Sequence, residues 1–363
     1  MSAYILRRIL MIVPTLFGIM LISFAIIQIV PGGPVERMVA VLSGSGGDRL
    51  GGGGDFGGQG QSMGADAASS QYRGSQGLDP AFIESLKKQY GFDKPAPERF
   101  WLMIKNYLTF NFGKSYFQDT PVLTLIGQKL PVSISIGLWV MLLSYTISIP
   151  LGIRKAVADG SRFDAWTSAV IAIGYAIPSF TLGVLLLTLF AGSSFWQIFP
   201  NRGLFSSNWA DLSTWHKITD YFWHLTLPLI AMTFGAFATL TMLTKNSFLD
   251  EIRKQYVLTA RMKGLTSNRV LYGHVFRNAM LIVIAGFPAA FIGALFSSSL
   301  LIERTFSLDG LGYLTFNAVL NRDYPVVLAN IYILSLVALV VNLISDLIYM
   351  LIDPRIDFEA RET

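Results

Sequence analysis

The 363-residue chain has no cysteine and only three histidines. Disulfides, thiolate metal sites and cysteine nucleophiles are therefore excluded, and His216, His224 and His274 are scattered without metal-ligand spacing. Charge is scarce too: 14% of residues are charged against 52% hydrophobic, and the mean hydropathy is +0.51. That leaves too little polar surface for a soluble protein of this length. No Gly-x-Ser-x-Gly elbow, no His-Glu-x-x-His and no pair of carboxylates inside an apolar run is present, so no catalytic residue and no metal site is expected. Gly113-Lys114-Ser115 imitates the end of a phosphate-binding loop, but Leu108 stands where that loop needs a further glycine. The net charge of +5 does not point to nucleic acid, because the basic excess is concentrated in a few loops and no aromatics interleave with it.

What the chain does have is long apolar runs. Six approach or exceed the ~20 residues of helix needed to cross a hydrocarbon core: Ile9 to Val30, Ile134 to Ile153, Trp166 to Phe190, Leu225 to Leu243, Ala279 to Leu301 and Val327 to Ile352. The first is too long for the apolar region of a signal peptide. Pro31-Gly32-Gly33-Pro34 replaces a cleavage site after it, so it is expected to stay as an anchor. Arg7, Arg8, Arg154, Lys155, Arg162, Lys245, Arg253, Lys254, Arg261, Lys263, Arg269 and Arg277 all fall on one side of the six-span weave. The excess of Lys and Arg predicts that this side is cytoplasmic. The expected placement is thus a membrane, crossed several times, with both termini in the cytoplasm.

The connection after the first span, residues 31–130, is expected on the periplasmic side. Its stretch 43–77, with Gly51-Gly52-Gly53-Gly54, is too poor in apolar residues to offset ordering entropy and is expected to be disordered. Residues 78–130 are expected to be helical. Asp79-Pro80 starts one helix that Gly91 closes, Pro97 to Phe110 spaces Phe100, Met103, Ile104 and Tyr107 on one face, and a third helix starts at Thr120-Pro121. The remaining divisions are residues 1–30 as N-terminus and first span, 131–353 as a core of five further spans, and 354–363 as a cytoplasmic tail.

Within that core, residues 245–278 form a basic helix-Gly-helix loop reading YVLTARMKGLTSNRVLYGHVFRN from Tyr256 to Asn278. The order of residue types, Leu258, Thr259, Ala260 and then Gly264, followed by His274, Arg277 and Asn278, resembles the EAA-type coupling loop of ABC-importer permeases, with the general pattern's glutamate missing. Asn342-x-x-Ser345-Asp346-x-x-Tyr349 with Asp353-Pro354-Arg355, Phe112-Gly113-Lys114-Ser115, Ser161-Arg162-x-Asp164 and Pro200-x-x-Gly203 extend the resemblance over nearly the whole chain, to the dipeptide/oligopeptide branch. The Gly-rich insertion and Lys245-Asn246-Ser247-Phe248 look like its Yej-type subgroup, whose members import oligopeptides and the peptide-nucleotide antibiotic microcin C.

The resemblance implies an all-α type I importer fold with six transmembrane helices and a periplasmic helical insertion after the first. It also implies a partner set: a second homologous permease in a heterodimer, an ABC ATPase with two nucleotide-binding domains, a periplasmic peptide-binding protein and a peptide cargo. No cofactor is expected on this chain, with ATP and Mg held by the ATPase. Tyr256, Leu258, Thr259, Ala260, Arg261, Lys263 and Gly264 are then the ATPase-coupling residues, with Ala260 expected in the partner's groove. Asn342, Asp346 and Tyr349 recur at i, i+4 and i+7 and predict a polar stripe between helices rather than a proton relay. Phe287, Phe291 and Phe296 are candidates for the substrate path, while Gly183, Gly235 and Gly293 predict close helix approach. The alternative is a secondary transporter or channel driven by an ion gradient, which needs a midplane ion site that the sequence does not display.

Overall fold

Leucine-, isoleucine- and phenylalanine-rich runs with few breakers can satisfy their backbone in a bilayer only as helices, and the computed structural model is built that way. It describes residues 2–30, 33–42, 84–85, 88, 92–192, 195–296 and 300–352. The Gly-rich stretch 43–77, most of the helix expected between Leu78 and Gly91, and the tail from Asp353 onward lie outside those residues. Among the described residues the helices are α1 (Ser2–Ile29), α2 (Pro34–Leu42), α3 (Ala96–Leu108), α4 (Val122–Val157), α5 (Arg162–Ala176), α6 (Ser179–Phe190), α7 (Thr214–Ile252), α8 (Gln255–Met262), α9 (Ser267–Val270), α10 (Phe276–Phe296), α11 (Leu300–Thr305), α12 (Leu311–Asn321) and α13 (Tyr324–Ile352). A π-helical turn, Leu271–Val275, joins α9 to α10. Among the described residues five stretches are long and apolar enough to cross a membrane, and the bent pair α5 and α6 makes a sixth if counted as one span.

Two expected boundaries differ, each for a local reason. The third helix predicted at Thr120-Pro121 is not separate: α4 starts at Val122 and absorbs the second span, running through Pro131 and Pro150 for 36 residues. The run Trp166 to Phe190 is not one helix. Ile177 precedes Pro178, is steered out of the helical region (φ −89°, ψ 118°), and α5 and α6 diverge by 93°. Of the run Ala279 to Leu301, α10 covers the part up to Phe296 and α11 the part from Leu300, and residues 297–299 lie outside the described residues. At 39 residues α7 is ~58 Å long by helical rise. It therefore outreaches a ~30 Å hydrocarbon core and carries its termini beyond it.

The described residues fall into two compact units, one holding 13–125 and Asn317–Ile333, the other 2–12, Ile126–Phe316 and 334–352. In the first, Phe100 of α3 meets Phe17 and Phe24 of α1 at ring separations of 5.6 and 5.4 Å, and Arg99 donates to Gln28 at 2.7 Å. Tyr107, Phe112 and Tyr332 form a buried aromatic triad with separations of 4.7 to 5.7 Å. Gly113 does not end α3, which stops at Leu108. It turns the chain at φ +72° into a short hairpin, with Val122 N–H donating to Gly113 O at 3.0 Å and a bridge between Lys114 and Pro121. The serine of the phosphate-loop imitation is tied inside that hairpin: Ser115 Oγ and the Tyr116 N–H, at 3.0 Å, both donate to the buried Asp323 carboxylate.

The second unit has two apolar cores. One joins Ile136, Leu225, Leu229, Ile302, Phe306 and Leu308, where α4, α6, α7 and α11 converge. There Gly183 does permit close approach, since a Cβ would sit 3.1 Å from Ile302 and 3.2 Å from Phe306. The other core joins Ile153, Phe248, Val257, Ala260, Val270, Val275 and Ala279, and supports the basic loop.

Candidate functional site

The segment singled out in the sequence is a short helix held rigidly at both ends. At its start, Tyr256 Oη donates to Glu251 at 2.7 Å, and Lys254 also contacts that carboxylate. Burial and the adjacent Glu251 push the Tyr256 hydroxyl above the usual phenol range. At its end, Gly264 N–H bonds Arg261 O at 2.9 Å and Leu265 N–H bonds Ala260 O at 3.4 Å, with Gly264 at φ +78°. This is a Schellman close, for which glycine is the residue of choice because it takes a left-handed conformation without a Cβ penalty.

The helical period sorts the expected coupling residues onto two faces. Val257 and Ala260 are 1% and 6% exposed and pack into the core beneath, with Tyr256 half-buried beside them. Leu258 and Met262, one turn apart, are 55% and 80% exposed, and Thr259, Arg261, Lys263 and Gly264 are exposed with them. The structure places Ala260, expected in a partner's groove, under the helix, packed in the core of its own chain. Met262 was missed, although its i, i+4 spacing from Leu258 was there to be read.

Immediately beside this loop lies a buried ion cluster that the sequence did not reveal. Lys155, counted among the basic residues that mark the cytoplasmic side, is 0% exposed. Its Nζ donates to Asp164 O at 2.9 Å, Thr167 Oγ1 at 2.8 Å and Ser168 Oγ at 2.7 Å, and lies 2.9 Å from Asp164 Oδ1. Lys245 of α7 reaches Asp164 Oδ2 at 2.7 Å and Asp159 Oδ1 at 3.0 Å. Asp164 also accepts the Gly160 N–H at 3.2 Å, and Gly160 sits at φ +75°. Two ammonium groups on one carboxylate fix the tight turn between α4 and α5 to α7, about two helical turns before α7 ends at Ile252.

A cavity of about 660 Å³ opens among α4, the α5/α6 break, α7 and α10. Val140, Met141, Met232, Leu240 and Val283 give it an apolar wall, with hydroxyls from Ser144, Tyr145, Tyr175, Ser179 and Thr239. Among the described residues no charged one lines it. Gly235, Gly286 and Gly293 border this space, and a Cβ on Gly235 or Gly286 would meet nothing within 4 Å. Gly235 therefore makes room instead of bringing helices together. Of the phenylalanines proposed for the path, Phe287 and Phe291 stack on each other at 6.1 Å, and Phe287 meets Tyr145 at 5.6 Å. Both lie off the cavity wall, and the Phe296 side chain is outside the described residues. In the polar stripe, Asp346 pairs with Arg8 at 2.9 Å and Asn342 is exposed. Tyr349 lies in α13, its side chain outside the described residues. Among the described residues no group of His, Cys, Asp or Glu is arranged to hold a metal.

A helical bundle with membrane-crossing spans, a charge-free interior cavity and a rigid basic loop presenting apolar tips defines a membrane-embedded transport subunit whose energy comes from another chain. The comparisons place it further. Residues 148–358 match the family described as binding-protein-dependent transport system inner membrane component, and the chain belongs to that family. It is 62% identical to the peptidoglycan transport system permease protein YejB of Agrobacterium fabrum, across all of both chains. To the inner membrane ABC transporter permease protein YejB of Escherichia coli O157:H7 it is 54% identical, over 99% of this chain and 100% of that one. The oligopeptide transport system permease protein AppB of Bacillus subtilis is 33% identical over 99% of this chain and 100% of its own length. The protein is thus an inner-membrane, multi-pass permease subunit of a binding-protein-dependent ABC transporter, with ATP hydrolysis on a separate chain. The ion-gradient alternative gains no support.

Proposed function

We propose that this subunit carries peptides from periplasm to cytoplasm, oligopeptides first, with peptide conjugates such as microcin C within its range. The observation that carries the coupling half of this reading is the outward face of α8, where Leu258 and Met262 stand exposed at the tip of a capped, rigid helix. Solvent-exposed apolar residues on an otherwise basic loop are a docking surface in search of a partner, and an ATPase groove fits it. The cargo half is supported by relatives named for oligopeptide and peptidoglycan transport, whose common chemistry is a peptide chain. The apolar, hydroxyl-bearing cavity suits such a cargo, since amide groups need hydrogen bonds and varied side chains need a wall without fixed charge.

In this reading the chain pairs with a second, related permease and receives cargo from a periplasmic peptide-binding protein. It carries no cofactor, and ATP and Mg sit on the ATPase. The basic side, including α8 and both termini, faces the cytoplasm. Tyr256, Leu258, Thr259, Arg261, Lys263 and Gly264 form or shape the coupling surface from above, and Ala260 sets its seat from below. The test is reconstitution of the full complex in proteoliposomes with the binding protein and a labelled oligopeptide. ATP-dependent accumulation of the peptide is the expected result. Accumulation that follows an imposed ion gradient and ignores ATP would sink the proposal.

A further inference from the structure

The break between α5 and α6 leaves a helix start inside the membrane region. α5 contributes 15 residues, ~22 Å of rise, before the chain turns at Ile177-Pro178 and α6 begins. Pro178, the N-cap of α6, supplies no side-chain hydrogen bond to the new helix. The first N–H groups of a helix have no partner within it and carry the positive end of its dipole. Ile177, Pro178 and Ser179 all line the 660 Å³ cavity, so this 12-residue helix starts at its wall. A second observation points at a ligand in the same space. Ser144 of α4 lines the cavity and is 3% exposed, and its hydroxyl oxygen makes no hydrogen bond among the described residues. A buried hydroxyl without a partner is costly unless something else fills the role.

We propose that the α6 N-terminus and Ser144 form a subsite that binds a carboxylate of the peptide in transit. The proposal rests on the peptide reading above. A hydroxyl and free backbone N–H groups are all donors, and the helix dipole adds a positive potential without a formal charge. Broken spans in transporters use half-helix starts toward anionic groups in this way. A site with no lysine or arginine holds a carboxylate firmly enough to orient it and loosely enough to release it.

The experiment compares initial rates of ATP-dependent uptake by the reconstituted complex for three forms of one neutral peptide: free C-terminal acid, C-terminal amide, and amide carrying one glutamate. A fourth, N-acetylated form with a free C-terminus controls for the other terminus. Each is assayed with wild type, Ser144→Ala and Ser144→Thr, using the same binding protein, whose own preference then cancels. The acid-to-amide rate ratio should fall about tenfold in S144A, the scale of a lost hydrogen bond to a charged group, and return toward wild type in S144T, which keeps the hydroxyl. Being internal to each preparation, the ratio is insensitive to the amount of folded protein. A similar fall for the glutamate-bearing amide against the neutral amide would assign the site to any peptide carboxylate; its absence would restrict it to the C-terminus. An acid-to-amide ratio equal in S144A and wild type overturns the subsite, as does a response of S144A to acetylation instead of amidation. If no form of the peptide accumulates in wild type, it is the peptide reading that fails.

Discussion

Lys245 of α7 and Asp164 of α5, 81 residues apart, meet Nζ to Oδ2 at 2.7 Å beside a second lysine, Lys155, that contacts the other carboxylate oxygen. Because Lys155 is wholly buried, removing the carboxylate strands its charge. Breaking a buried pair from one side costs on the order of 3–5 kcal/mol, whereas removing both partners is often close to neutral. Asp164→Asn is therefore expected to lower the thermal midpoint of the detergent-solubilised protein sharply, and Lys155→Met combined with Asp164→Asn to recover much of the loss. Equal midpoints for wild type and D164N would show that the cluster does not clamp the α4/α5 turn to α7.

Gly264 tests whether the end of α8 matters through its backbone. A Cβ there would meet nothing within 4 Å, so a substitution is opposed by the φ of +78° and not by crowding. Gly264→Val should cost about 1 kcal/mol or more, and Gly264→Asn, which tolerates the left-handed region, much less. Coupling of ATP hydrolysis to uptake should suffer in the valine variant and survive in the asparagine variant. If the two behave alike, the Schellman close is not what aims the helix.

The helix-Gly-helix loop was legible because its information is local: a helix-length segment, a glycine at the left-handed position and flanking basic residues are all read along the chain. Which of its residues point outward was legible in principle, since Leu258 and Met262 are one turn apart, but a resemblance that singled out Ala260 drew attention to the buried face. The Lys155, Asp164 and Lys245 cluster was not legible. Lysines at span ends read as solvated charge, and only the return of α7 past the α4/α5 turn brings the three together. Pro178 can be read along the chain as an interruption, but the 93° divergence it permits depends on how α6 packs against Ile302 and Phe306, contacts more than 100 residues away. Ser115 likewise looked like part of a phosphate motif until Asp323, 208 residues on, supplied its partner.

Asp323 gives the unit of α3 and the 113–122 hairpin a pH signature. Burial raises its carboxyl pKa, and the hydrogen bonds from Ser115 and the Tyr116 N–H only partly offset this. A raised folded-state value means that the folded form holds the proton more tightly. The stabilisation is complete below the ordinary aspartate range and is lost as pH climbs through the raised value. The melting temperature of wild type minus that of Asp323→Asn should therefore be largest in acid and shrink toward neutrality. A difference that grows with pH would mean that the ionised carboxylate is the favoured form.

Orientation can be read directly, because the chain is free of cysteine. Ser267, exposed at the start of α9, is a site for a single introduced cysteine. In intact cells Ser267→Cys should resist a membrane-impermeant maleimide and react after permeabilisation, whereas Ser213→Cys, at the other end of α7, should react in the intact cells. The reverse pattern would invert the topology.

The two faces of α8 make opposite predictions. Leu258→Asp and Met262→Asp place charge on exposed side chains that touch no core, so the protein should fold and reach the membrane at wild-type levels while the ATPase no longer co-purifies with it. An apolar anchor at the centre of an interface is commonly worth about 2 kcal/mol or more, roughly thirtyfold in affinity, and a buried carboxylate in its place is worse than truncation. Ala260→Trp acts from beneath. It forces an indole into the core formed by Phe248, Val257 and Val270, so it should lower thermal stability in the isolated permease, before any partner is present. Arg269→Ala, exposed on the next turn, should change neither property. If A260W is as stable as wild type yet loses the ATPase, Ala260 faces the partner after all. If the aspartate variants retain it, the docking surface lies elsewhere on the loop.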